Sequence, residues 1–98
     1  MFNSPITDLR SSTRKPEVPI EVYGTNWCAA TQMARRYLDR LGLPYMYRNI
    51  DADTEAARQV QWWTGGYLSH PTIQIGGNIL VEPSLDELRL TLKRLGII

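Results

Sequence analysis

One cysteine and one histidine in 98 residues remove the common ways of stapling a small chain. A lone thiol cannot close an internal disulfide, so any oxidised form must join it to another molecule. One Cys with one His is also too few ligands for a structural zinc site. Neither sign of charge is in excess: 11 Lys and Arg face 10 Asp and Glu, a formal net charge of +1, and the basic residues are scattered rather than gathered in a block. That balance gives no electrostatic reason to expect a nucleic-acid partner. No apolar run approaches the roughly 18 residues of a membrane-spanning helix, and the amino end has neither the basic start nor the apolar stretch of a secretory signal. The expectation is a cytoplasmic protein in a reducing compartment, with no membrane, nucleic acid or metal partner.

What is present fits one small globular domain: 43% hydrophobic and 21% charged residues, enough for a single core without covalent staples. Residues 1–17 mix Ser, Thr, Pro and charges without periodicity and read as a disordered or extended tail; residues 18–98 read as the domain. From Val18 to Tyr23 an alternating, β-branched run predicts a first strand that stops at Gly24. Ala30, Met33, Ala34, Tyr37, Leu38 and Leu41 then recur at helical spacing, with Gln32, Arg35, Arg36, Asp39 and Arg40 on the outer face. Pro44 to Ile50 predicts a second strand, and Asp53 to Thr64 a second helix capped by Asp53 or Thr54, with Ala56, Val60 and Trp63 inward. Both Trp62 and Trp63 are expected to pack. Thr72 to Ile75 alternates as a strand, and Gly76-Gly77-Asn78 predicts a hairpin into Ile79 to Val81. Ser84-Leu85-Asp86-Glu87 is a capping box opening a last helix with Leu85, Leu88, Leu92 and Leu95 inward. The fold class is α/β, ordered β-α-β-α-β-β-α, with a four-stranded mixed sheet and a parallel first pair.

The chemistry concentrates where the first strand meets the first helix, at Trp27-Cys28-Ala29-Ala30-Thr31. Free N–H groups and the positive dipole end of a helix's first turn favour a thiolate over a thiol, and the thiolate is the nucleophile. In the expected layout Ser69-His70-Pro71-Thr72 lies at the same end of the sheet, which sets Pro71 beside the sulfur. A proline opening a central strand suggests a tight turn; the frequency of X–Pro bonds, about one in twenty cis, favours trans. Thr31, one turn along the helix, is placed either to donate a hydroxyl hydrogen bond to the thiolate or to cap the helix or face solvent, and His70 reads first as a solvated loop histidine, with positive charge near the sulfur as the alternative. The Asp51-x-Asp53-x-Glu55 run reads as helix-start acidity rather than a cation loop.

The layout, the Trp-Cys-x-x-Thr turn, the Gly65-Gly66-x-x-Ser69-His70-Pro71 loop and the Gly76-Gly77-Asn78 hairpin together resemble the glutaredoxin family of the thioredoxin-like fold, over about residues 18 to 97. Trp27 before the cysteine and Glu82-Pro83-Ser84 before the last helix are most similar to the actinobacterial mycoredoxin and glutaredoxin-like group. The resemblance implies that Cys28 is the catalytic nucleophile and Pro71 a cis-proline, and that the His70 backbone pairs with the cysteinyl part of a bound thiol. It also implies that Trp27, Thr31, Ser69, His70, Pro71 and Ser84 line the thiol-substrate site. Mycothiol or glutathione would be co-substrate, with no tightly bound cofactor, and protein mixed disulfides would be the partners of a monomer.

Three positions depart from the family pattern. Thr31 stands where dithiol members carry a second cysteine, so resolution within the chain is impossible. Thr25 replaces a lysine that pairs with a glutathione carboxylate. Val81-Glu82-Pro83-Ser84-Leu85 matches the Gly-Gly-x-Ser/Asp-Asp segment only at Ser84. The expected activity is monothiol thiol–disulfide oxidoreduction. The alternatives are an iron–sulfur cluster-binding monothiol glutaredoxin, whose Cys-Gly-Phe-Ser motif is not matched by Ala29-Ala30-Thr31, and a non-catalytic interaction domain of the same fold.

Overall fold

The computed structural model describes residues 18–98; the expectation for the preceding segment lies outside the described residues. Among the described residues seven elements follow one another: β1 (Ile20–Gly24), α1 (Ala29–Arg40), β2 (Met46–Asn49), α2 (Thr54–Thr64), β3 (Thr72–Ile75), β4 (Asn78–Val81) and α3 (Leu85–Arg94). The sheet runs β2-β1-β3-β4, with β1 and β2 parallel and the other two pairs antiparallel. This is the thioredoxin-like arrangement expected from the order of elements. β1 starts two residues later than the apolar pattern, because Pro19 has no N–H for the ladder. The hairpin is as expected: Ile75 pairs with Asn78, and Gly76 takes φ 59°, the positive φ a two-residue loop needs at its first position.

Alternation along β1 and β3 divides the interior in two. Ile20, Val22, Ile73 and Ile75 face Ala34 and Leu38 of α1 and Leu88 and Leu92 of α3, forming the larger cluster. Each fully buried side chain of this size contributes about 1.5–3 kcal/mol of transfer free energy. On the other face Tyr23 and Ile50 meet Ala56 and Val60 of α2, and Trp63 packs edge-on against Tyr23 at 5.2 Å. Trp62 departs from expectation and stands 82% exposed, because it falls on the outer stripe of α2 one residue before the packed Trp63.

The buried stripe of α1 also differs from the one its apolar residues outline. Thr31, Ala34 and Leu38 are buried, whereas Ala30, Met33 and Leu41 are exposed. The cause lies in the contact between α1 and β1. A Cβ on Gly24 would stand 2.4 Å from Thr31 Cγ2 and 2.5 Å from its hydroxyl oxygen. The strand therefore ends in a residue without a side chain, and the helix start presses a threonine against it. This close approach fixes where the first turn of α1 lies, and with it Cys28.

Candidate active site

Cys28 is the N-cap of α1, with extended backbone (φ −86°, ψ 119°), no side-chain cap hydrogen bond and no acidic residue in the first helical turn. Its N–H reaches the Thr25 carbonyl at 3.4 Å, and its own carbonyl accepts from Gln32 N at 3.1 Å, so the turn closes directly onto the helix. The thiol is partly exposed and donates to the His70 carbonyl at 3.8 Å, across 42 residues of sequence. The His70-Pro71 peptide is cis, against the frequency expectation and in line with the resemblance. Pro71 is buried, and its carbonyl accepts from Glu82 N at 2.8 Å. The strand-to-helix turn and the remote proline loop thus meet at the sulfur.

Electrostatics at that meeting point favour ionisation. Burial alone pushes the Cys28 thiol up, but hydrogen bonding by the Thr31 hydroxyl, the Thr31 N–H, the His70 side chain and the Ala30 N–H outweighs it, lowering the pKa from 9.0 to about 7. All four favour the charged form. The Thr31 hydroxyl is buried and has no hydrogen-bond partner in the folded chain. A thiolate supplies the acceptor it lacks. Thr25 Oγ1 and His70 Nδ1 are likewise buried without partners, so the unmatched buried side-chain atoms among the described residues all belong to this pole of the sheet. Such atoms are costly in a folded core and signal a site built for something other than stability.

Trp27 stands beside the sulfur, 70% exposed yet fixed in place. Its indole N–H donates to Asp51 Oδ2 at 2.8 Å, and its ring meets the His70 imidazole edge-to-face at 5.0 Å. Cys28, Trp27, Thr31, His70 and Pro71 therefore come together as one constellation. Ser69 lies one residue before His70 with its carbonyl accepting from the Thr72 hydroxyl at 3.0 Å. Ser84 stands apart in its bonding: its hydroxyl accepts from Glu87 N at 3.0 Å and its N–H donates to Glu87 Oε1 at 2.8 Å, a closed capping box.

Four further residues shape the site, none of them given a site role by the sequence pattern, which read Asp51 as helix-start acidity and Gln32 as outer-face. Gln32 Nε2 donates to the carbonyls of Thr25 and Asn26, both at 3.2 Å. Tyr47 donates to Asn26 Oδ1 at 2.7 Å, and Asp51 holds Trp27. Gln32 follows Cys28 by one helical turn, a spacing that places it over the preceding loop; Asn26, Tyr47 and Asp51 have no local signal, since strand pairing alone brings them together. Among the described residues no helix is long and apolar enough to cross a membrane, and no group of three or more His, Cys, Asp or Glu is placed to hold a metal ion.

Solved structures with the same fold include the thioredoxin-like protein BC3987, whose mutant form superposes with a TM-score of 0.69 at 23% identity, covering 76% of this chain and 94% of that one. The glutaredoxin from Archaeoglobus fulgidus gives a TM-score of 0.67 at 18% identity, covering 80% of this chain and 89% of its own. A buckwheat glutaredoxin, solved as a complex with glutathione, gives 0.60 at 22% identity over 81% of this chain and 71% of its own. No protein of curated function matches the chain significantly. The sequence profile of the glutaredoxin family matches residues 20–80, from the first residue of β1 into β4, including Cys28, His70 and Pro71. The chain belongs to the glutaredoxin family, whose general chemistry is thiol–disulfide oxidoreduction.

Proposed function

We propose that the protein is a monothiol thiol–disulfide oxidoreductase that removes a low-molecular-weight thiol from protein mixed disulfides. The observation that carries this reading is the placement of the Cys28 sulfur, partly exposed at the uncapped start of α1 with its pKa lowered to about 7. The thiolate attacks the small-thiol sulfur of the mixed disulfide; the S–S bond to the protein breaks, and the protein leaves as a thiolate that takes up a proton. Cys28 is now joined to the small thiol. Because Thr31 offers no second sulfur, a second small-thiol molecule must attack that bond, releasing the symmetrical small-thiol disulfide and restoring the Cys28 thiolate. A thiol titrating near ambient pH suits both steps, being substantially ionised as nucleophile and a good leaving group when resolved.

In this reading Thr31 and the Ala30 and Thr31 amides hold the charge on sulfur, while Trp27 and Pro71 wall the approach to it. The His70 backbone pairs with the cysteinyl portion of the incoming thiol, and Ser69 and Ser84 flank its remainder. The small thiol is mycothiol or glutathione. The glutathione complex of the buckwheat neighbour supports the second. The surroundings of Cys28 favour the thiol with fewer carboxylates: Thr25 is buried where glutathione binders carry a lysine, Asp51 sits on Trp27, and Glu82 follows β4 beside Pro71. The protein works as a monomer in the reducing cytoplasm. A single-turnover reaction with mycothiol-capped and glutathione-capped peptides in parallel, read by intact mass, tests the proposal. An adduct on Cys28 with one or both is expected; an adduct with neither contradicts it.

A further inference from the structure

The geometry points to Arg35, Gln32, Tyr47 and Asn26 as a clamp that positions the turn before Cys28, making Tyr47 and Arg35 positioning residues for the thiol. The contacts form a closed circuit. Tyr47 Oη donates to Asn26 Oδ1 at 2.7 Å. The Arg35 guanidinium lies 3.8 Å from the centroid of the Tyr47 ring, donates through Nε to Tyr45 Oη at 3.2 Å, and through Nη1 reaches Gln32 Oε1 at 3.4 Å. Gln32 completes the circuit by donating to the Thr25 and Asn26 carbonyls. Two elements, α1 and β2, thus grip the two residues that lead into Trp27-Cys28.

No member of the circuit hydrogen-bonds the sulfur, although the Tyr47 hydroxyl feels its charge, and through the turn the circuit governs where the sulfur stands. An uncapped helix start has no side chain of its own to fix the entry angle of the chain, and here a glutamine one turn along and a tyrosine from the neighbouring strand do that work from outside. A planar guanidinium is suited to the role, because it stacks on an aromatic face and forms directed hydrogen bonds at once. Tyr47 also remains a donor: burial raises its hydroxyl above the ordinary tyrosine value, ahead of the lowering effect of Arg35. The other polar or titratable groups facing Cys28 are Thr31, His70 and, beyond Trp27, Asp51, none of which belongs to the circuit.

The inference rests on the redox reading of Cys28, and its test separates the two. The pH dependence of Cys28 alkylation is measured for the wild-type chain, Tyr47→Phe, Asn26→Ala, their double variant, Arg35→Lys and Arg35→Met, with circular dichroism confirming the fold of each. Tyr47→Phe is expected to move the ionisation midpoint upward by about one pH unit, roughly a fivefold slower reaction at pH 7. Asn26→Ala should do the same, and the double variant no more than either, the signature of two groups acting as one. Arg35→Lys should fall with Arg35→Met, since charge without a planar fork does not restore the clamp. A wild-type midpoint near 7 left unmoved by Tyr47→Phe and Asn26→Ala overturns the clamp alone. Shifted midpoints in a protein that forms no mixed disulfide uphold the clamp and overturn the redox reading.

Discussion

The amino ends of α1 and α3 solve the same problem in opposite ways. At α3 the chain closes on itself: Ser84 and Glu87 satisfy one another's backbone, and Asp86 and Glu87 bring negative charge to the positive end of the helix. The start of α2 is similar, with Asp53 accepting from the N–H groups of Glu55 and Ala56. At α1 nothing of the kind is present. The cap position holds a cysteine with no cap hydrogen bond, the first turn has no carboxylate, and the Thr31 hydroxyl is left without a partner. Two helix starts are complete in themselves, and the third is completed only when Cys28 is charged. The contrast locates function better than exposure does, because the molecule leaves its helix-start groups unmatched at the end where a nucleophile stands.

Five substitutions or conditions sharpen or break that contrast. Cys28→Ser should abolish adduct formation with any disulfide substrate, whereas Ser84→Ala at the start of α3 retains it; intact mass reads the difference. Gly24→Ala should destabilise the fold by about 3 kcal/mol in chemical denaturation, since its new methyl meets Thr31 where α1 presses on β1. The charged cap should also appear as pH-dependent stability. The folded pKa of Cys28 is depressed, so its contribution is fully present above the unfolded value of about 8.5 and lost as pH falls through about 7. Discounted for the partial exposure of the thiol, the gain over that window is about 1–2 kcal/mol, measured as a stability increment of wild type over Cys28→Ser that grows from pH 6 to pH 9.

Thr31→Val separates stability from chemistry at the same helix start. Removing a buried hydroxyl without a partner should raise stability near pH 6 by about 1 kcal/mol, while the alkylation rate at pH 7 falls several-fold because the thiolate loses a donor. A rate that stays unchanged would remove Thr31 from the account. Ser84→Ala is the mirror case. Loss of the capping box should cost about 1 kcal/mol of stability and leave the Cys28 alkylation profile where it was.

Much of this was legible from the chain. The Ser84 to Glu87 box, the Asp53 cap and the Gly76-Gly77 hairpin are local signals that act within a few residues, and all three form as expected. The Cys28 turn was legible for the same reason, as a strand end followed at once by a helix start. The inward face of α1 was not, because Thr31 is polar and its burial is set by the gap that Gly24 leaves in another element. Helical spacing already put Trp63 on the inner stripe with Ala56 and Val60, where it packs against Tyr23; Trp62, one position earlier, was also expected to pack and instead stands exposed. The contacts of Asn26, Tyr47 and Asp51 depend on β1 and β2 lying side by side, so no spacing along the chain could announce them.

The central claim is that the Cys28 sulfur is ionised near neutral pH because the start of α1 has been left for it to complete. Ultraviolet absorbance of the thiolate, followed from pH 4 to pH 11 in the reduced protein with Cys28→Ser as the blank, measures this directly. The account predicts a midpoint of about 7. A midpoint at the free-cysteine value of about 8.5 or above would contradict it.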